Sequence, residues 1–485
     1  MILSSPRSAR QVGASSPARP VPSVPSSSAR RGATALATAA LVVGGPALVA
    51  APASAADDAP AAAATAAAPP AVSITSSLGG LAVGHDATVS GTGFAPGSTI
   101  SVAADGTALP STAPIAADAS GAFTATVRIP ADAPLGDHEI VATAADGATA
   151  KVTDTFIAAP DVPFFGAGSF GASRTQLQNG AYQVRYSLRQ DGLWVTNAEF
   201  NAVYDVVASK LQLLDRRTLK VRRTIDAKAD GGQSPFGVAV DDRRNTLWTT
   251  DTVADEVSVW NQATGKRLAT IDGVAHARDA VVDPLRDRVY VSAFLADEVQ
   301  IFDAKTFRKI GAIPTGTASG PVSLALDPVH QRLYTTTYYG GNLVAIDTRQ
   351  DRVAGTWSTG QLQTTGVGVD PVRGQVYTAG PITGDVRAFD GRTGKVLWKR
   401  PTGTAALSVA ADPITGRVFV ANRLARSVSV LAPRDGKVLA NVEVGPSPNS
   451  VTLAGGTAYV VNKGEQTEAG HDGLTKLAPK APGRR

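Results

Sequence analysis

Short runs in which apolar and polar residues alternate, separated by Gly, Pro, Asp and Ser, follow one another from Val72 onward and predict β-strands. Between Leu193 and Asn462 one run recurs seven times, as LWVTN, LWTTD, VYVSA, LYTTT, VYTAG, VFVAN and AYVVN. Its second position is always aromatic: Trp194, Trp248, Tyr290, Tyr334, Tyr377, Phe419 and Tyr459. After a first interval of 54 residues the spacing stays between 40 and 44, the period of a repeat built from small sheets.

The second copy shows a whole unit: FGVAVDD (236–242), LWTTD (247–251), EVSVWN (256–261) and KRLATI (266–271). Four strands joined by short turns make an antiparallel sheet with two apolar faces, and a ring of such sheets around a channel covers both faces of each. The recurrent aromatics are then expected in the core between sheets, together with Trp260, Trp357 and Trp398. The first strand of each period ends in Asp, at Asp241, Asp283, Asp327, Asp370 and Asp412, four of them followed by Pro. An Asp there accepts from amides two residues on, and Pro presets the turn, so the repetition is read as turn chemistry and not as a metal ring.

The third strands end in QLLD at Asp215, SVWN at Asn261, QIFD at Asp303, VAID at Asp347, RAFD at Asp390 and SVLA at Ala432. The Y-V-T-N run followed by V-S-V-I-D resembles the signature of the YVTN family of β-propellers over residues 181 to 462. The resemblance implies a propeller; for activity it implies little, since such proteins include surface-layer, binding and lactonase-like members. The fold class is therefore expected to be all-β, a seven-bladed β-propeller over 161–466. GLTKLAP (473–479) is a poor third strand for the last blade, and the chain around Thr175 to Leu177 is a candidate for its outer strand. Residues 467–485 are read as a basic tail, with a closing strand inside it as an option.

Residues 72–160 carry six or seven short alternating segments, and GTGFAPGSTISV with DASGAFTATVRIPADAPLGDHEIVATAADG resembles bacterial immunoglobulin-like modules. A β-sandwich of that kind is expected. The Gly166 to Gly171 stretch matches GxGxxG formally, but no βαβ unit surrounds it, so it is read as a connector.

Ahead of these, residues 1–55 contain Arg7, Arg10, Arg19, Arg30 and Arg31, an apolar run from Ala33 to Ala50, and Ala53-Ser54-Ala55. This reads as a cleaved export signal, followed by an Ala/Pro-rich linker over 56–71. The expected location is secreted, periplasmic or cell-wall associated, with no membrane span after cleavage. The five signal arginines account for the whole formal charge of +5. The remainder divides into an acidic front domain and a mildly basic back domain, too slight a bias to favour nucleic acid. The chain has no Cys, which excludes disulfides, Cys-held metals and an acylated N-terminal Cys. Five His residues without ligand spacing argue against a metal site, and no cofactor motif is present.

Two departures from the repeat mark one face of the ring. A longer loop after Asn197 carries Phe200, Tyr204 and Asp205, and either functions directly or covers the neighbouring domain. Five residues before each anchoring Asp lies the channel mouth, with Phe236, Arg278, Val322, Thr365 and Leu407, and with Asn449 in the last repeat. There His276, Arg278 and Asp279 cluster and are the candidate catalytic residues; the structural alternative is an Arg278–Asp279 ion pair beside a solvated His. Candidate ligand-binding residues are Phe200, Tyr204, Asp205, Phe236, Arg278, Thr365 and Asn449. The leading expectation is a monomeric binding or scaffold protein for a protein, cell-envelope or small-molecule partner. The alternatives are a lactonase-like hydrolase or lyase, and weak polyanion binding.

Overall fold

Alternation becomes strands throughout the computed structural model, which describes residues 68–200, 206–228, 234–464 and 472–480. The expected export signal, most of the linker, Tyr204 and Asp205 lie outside the described residues.

In the N-terminal unit, the strands Ala71–Thr75, Asp86–Thr92 and Phe123–Arg128 form one sheet. Thr99–Ala104, Gly136–Ala144 and Thr149–Ile157 build the other, with three two-residue strands at its margins. Every second residue points inward, so Val89, Val127, Ile140 and Ala142 are wholly buried in one core shared by both sheets.

Seven four-stranded antiparallel sheets follow among the described residues. Their first strands are Ala181–Ser187, Pro235–Asp241, Ala277–Asp283, Pro321–Asp327, Gly366–Asp370, Ala406–Ala411 and Pro448–Ala454. Each packs against the next and the last against the first, so the sheets close into a ring and the molecule contains a β-propeller. The repeated aromatics fill the space between sheets: all seven are at most 2% exposed. Polar atoms of several are also accommodated, as where the Trp194 indole donates to Gln262 Oε1 at 3.1 Å and the Tyr334 hydroxyl to the Gly391 carbonyl at 2.9 Å. Trp260 and Trp398 are buried as well, while Trp357 is partly buried against the Tyr334 cluster.

Closure uses both ends of the described chain. Gly473–Pro479 is the third strand of the last sheet and Phe170–Gln176 its outer strand, paired antiparallel from Phe170 with Pro479 to Gln176 with Gly473. The segment expected as a tail therefore holds a full strand, with Leu474 and Leu477 completely buried. Alternation alone underrated it because GLTKLAP is short of β-branched residues; the partner strand and the underlying core decide its conformation. The glycine-rich connector forms a single 3-10 turn at Ala167–Ser169 before Phe170. Gly166 is needed there: its φ is 75°, and a Cβ would come within 2.6 Å of Ala440 Cβ.

The first strands end as expected. Asp283, Asp327 and Asp370 are at most 1% exposed, and each accepts from the amides two and three residues on. Each also contacts the side chain at i+3, Arg286, His330 or Arg373, at 2.7 to 3.0 Å. A second set of such turns ends the third strands, where Asp347 accepts from Arg349 and Gln350. Burial works against its carboxylate, but the Arg332 guanidinium at 2.5 Å and the turn amides outweigh it and hold the pKa at about 2. A folded pKa below the ordinary 3.8 means that this carboxylate stabilises the fold fully above about pH 4 and ceases to as pH falls toward 2. Asp347→Asn should therefore lower urea midpoints at pH 6 and flatten their decline between pH 4 and 2; parallel wild-type and variant curves would refute the assignment.

The N-terminal unit touches the ring on the face where second strands pass to third. The Ala158 amide donates to the Ile382 carbonyl at 2.8 Å, and Ala82, Ile157 and Ile382 share an apolar cluster with Leu135 and Leu424.

Candidate functional site

The channel mouth is made by a kink that the repeat writes six times. In the first, second, third, fourth, sixth and seventh sheets the innermost strand carries a β-bulge at its start. The bulged positions include Tyr182, Phe236, Arg278, Val322, Leu407 and Asn449, while Thr365 directly precedes its strand. A bulge re-aims side chains and frees backbone groups, which must find partners elsewhere.

Those partners come from the preceding sheet. Thr196, Thr250, Ser292 and Thr336 each donate a hydroxyl to the carbonyl of Phe236, Arg278, Val322 and Thr365 respectively, at 2.6 to 2.9 Å. These four are the fourth letter of the repeated strand, a Thr or Ser in the first four copies, and the sequence reading passed over them. The later copies have Ala379, Ala421 and Val461 there, and two candidate ligand residues take over: Thr365 donates to the Leu407 carbonyl at 3.0 Å and Asn449 to the Tyr182 carbonyl at 2.8 Å. Thr365 and Asn449 are 3% and 8% exposed. Both side chains thus link neighbouring sheets of the ring.

The His276–Arg278–Asp279 cluster also divides. Asp279 Oδ1 accepts from Gln183 Nε2 at 3.0 Å, from its neighbouring Ala280 amide at 2.9 Å and more weakly from Arg185 at 3.4 Å. Its Oδ2 accepts from the Leu324 amide at 3.0 Å. One buried carboxylate thus joins three sheets, and Gln183 Oε1 extends the link to the Val238 amide at 2.6 Å. Asp279→Ala would strand these donors and should cost about 3–5 kcal/mol, the usual penalty for breaking a buried charged pair. Thermal unfolding checks this, and a loss below about 1 kcal/mol would contradict the linking role.

Arg278 does not pair with Asp279. Its guanidinium lies 5.7 Å over the Phe294 ring. His276 is not solvated either: it is 6% exposed, its ring is 5.2 Å from Phe294, and Nε2 has no hydrogen-bond partner among the described residues. The His276 backbone has φ 51° at a corner where the first and fourth sheets have Gly180 and Gly320, and Asp255 Oδ1 holds its amide at 2.6 Å. Burial, reinforced by the Arg278 charge, pushes the imidazole down to about 4, so it is neutral at pH 7.

Residues that open the second-to-third connections share this mouth: Arg278 interacts with Phe294, Tyr338 and Lys463, and Arg423 with Lys463. Phe294 meets Tyr338 edge-on at 5.9 Å and Tyr339 in a tilted contact at 5.5 Å. The Lys463 ammonium lies 5.6 Å over Tyr182, whose edge meets Phe236 at 5.1 Å. Burial first, then the Arg423 and Arg278 charges, push Lys463 down to about 8 against the pull of Asp472. Of the candidate residues, Arg278 and Phe236 therefore belong to the same aromatic and cationic rim. The blade-by-blade register located Arg278; it did not reveal Phe294, which follows the neighbouring strand of the same sheet, or Lys463, which ring closure brings round from the last sheet.

The expected long loop is a projecting hairpin. Its strands run Gly192–Phe200 and Val206–Asp215, Phe200 pairs with Val206, and Tyr204 and Asp205 fall outside the described residues. Described contacts of the N-terminal unit include Ile382 and Leu424, in other sheets.

No family model matches the chain. Uncharacterized protein YncE of Escherichia coli O157:H7 and of Escherichia coli strain K12 are each 27% identical over 243 residues, 47% of this chain. The match spans 66% of the length of these relatives. Among solved structures, that of U3-55K superimposes with a TM-score of 0.55 at 11% identity, covering 63% of this chain and 98% of its own. The crystal structure of RRP9 WD40 repeats gives 0.56 at 10% identity, with 66% and 100% covered. At such identities the likeness concerns the fold alone. It supports a β-propeller.

Proposed function

We propose that this is an exported, monomeric binding protein: an immunoglobulin-like sandwich followed by a seven-bladed propeller of the YVTN type, whose channel face takes a small ligand or partner. The blade count is supported by seven strand repeats and seven sheets in a closed cycle. The YVTN assignment is supported by the repeated motif, and the immunoglobulin-like one by two sheets around a single core.

The observation that carries the binding reading is the division of the His276–Arg278–Asp279 cluster. A general base needs a partner within reach of substrate. Here Asp279 is saturated by four donors from the protein, and His276 is buried against Phe294. What remains at the mouth is an aromatic rim with cations, a surface suited to recognition.

Hydrogen–deuterium exchange on the full chain, with cell-wall fragments, sugars and small organic ions added in turn, tests the reading. Protection confined to segments around 276–279, 294, 338 and 463 is expected with one class. Turnover of a lactone abolished by His276→Ala would replace it with the enzymatic reading.

A further inference from the structure

We propose that the rim between Arg278 and Lys463 is a binding site for a small singly charged carboxylate carried on an aromatic or apolar body. This rests on the channel-face reading and names its ligand class.

Arg278 is 9% exposed and, among the described residues, its guanidinium has an aromatic face but no hydrogen-bonded or ion-paired side chain. Lys463 sits over the Tyr182 ring and, among the described residues, has no carboxylate in ion-pair contact. Arg423 adds a third positive charge whose field reaches Lys463, as does that of Arg278. Burying like charges without a close counter-charge is costly, and a bound oxyanion relieves that cost. The guanidinium fork matches a carboxylate in two parallel hydrogen bonds.

Tyr182 and Phe236 on one side, with Phe294 and Tyr338 on the other, supply apolar walls for the rest of the ligand. Two carboxylates limit its charge. Asp472 acts on Lys463, and Asp137 of the N-terminal unit acts on Tyr338. Their presence favours a monoanion over a densely charged polyanion.

The pH dependence has a definite sign. Lys463, facing Arg423, Arg278, Asp472 and the Tyr182 ring, is charged below about pH 8, so its attraction for the anion is lost as pH rises through that value.

Calorimetric titration of the full chain with benzoate, benzyl alcohol, phenyl phosphate and inorganic phosphate tests the site. Benzoate should bind at pH 7 and benzyl alcohol should not; affinity for benzoate should fall several-fold by pH 9.5. Arg278→Gln and Lys463→Gln should each weaken benzoate at least tenfold. Should Arg278→Gln unfold, Lys463→Gln and the charge-preserving Arg278→Lys carry the test. Unchanged benzoate affinity in the folded variants overturns the site, and tighter binding of either phosphate overturns the carboxylate assignment. Equal binding of benzyl alcohol, with protection still on the channel face, overturns this inference alone. Absence of protection by every ligand class overturns the channel-face reading beneath it.

Discussion

A chain ended at Asn462 is expected to lose cooperative folding of the ring, with a stability loss beyond about 5 kcal/mol, above what most single substitutions cost. The cut removes Gly473–Pro479, the third strand of the last sheet, and leaves the outer strand Phe170–Gln176 without its neighbour. Leu474 and Leu477 go with it, opening the cores on both faces of that sheet. Asp472 goes too, and with it an acceptor for the Ala181 amide at 2.6 Å at the entry to the first sheet. Exposed edges on both sides of the break also invite pairing between molecules. Urea unfolding followed by circular dichroism, with light scattering for aggregation, measures both effects. A peptide covering residues 472–480, added in excess, should restore part of the transition by occupying the vacant position. A sharp, near-native transition in the shortened chain would show that the ring does not depend on this latch.

Trp248→Ala should be the most damaging single core substitution, costing about 3–5 kcal/mol as large aromatic truncations do. Trp248 is wholly buried, lies 6.0 Å from the Phe302 ring and 5.7 Å from Phe307, and so bridges the second and third sheets. Sheets in a ring are stabilised by their neighbours, so a cavity between two of them weakens the whole closed structure. Its indole nitrogen has no hydrogen-bond partner among the described residues, unlike those of Trp194 and Trp260, so Trp248→Phe should cost far less than Trp248→Ala. Equal losses for the two would mean that contact area is not what Trp248 contributes. Thermal unfolding of both variants separates the cases.

Much of the ring was legible because its determinants are local. Alternation marks strands, an aromatic at a constant place marks the core between sheets, and Asp before a turn satisfies amides two and three residues on. The candidate site was legible only in part. Counting back from Asp283 reached Arg278, but it treated three near-adjacent residues as one cluster. The bulge at 278–279 sends Asp279 toward Gln183 and Leu324 and Arg278 toward Phe294. The bulge in the last sheet turns Asn449 into a link between sheets, and Thr365, just before its strand, makes another. Neither outcome follows from spacing, because each partner belongs to another sheet.

The sequence by itself determined a repeated four-stranded unit, its period, its core aromatics and its turn chemistry, since these arise within about forty residues of chain. The tertiary structure alone decided how the ring closes, with strands from Phe170–Gln176 and Gly473–Pro479 side by side, and which charges share the mouth. Arg278 and Lys463 are far apart in the chain and come under one electrostatic field because the last sheet packs against the first. Closure is a long-range contact, and long-range contacts are what a local pattern does not encode.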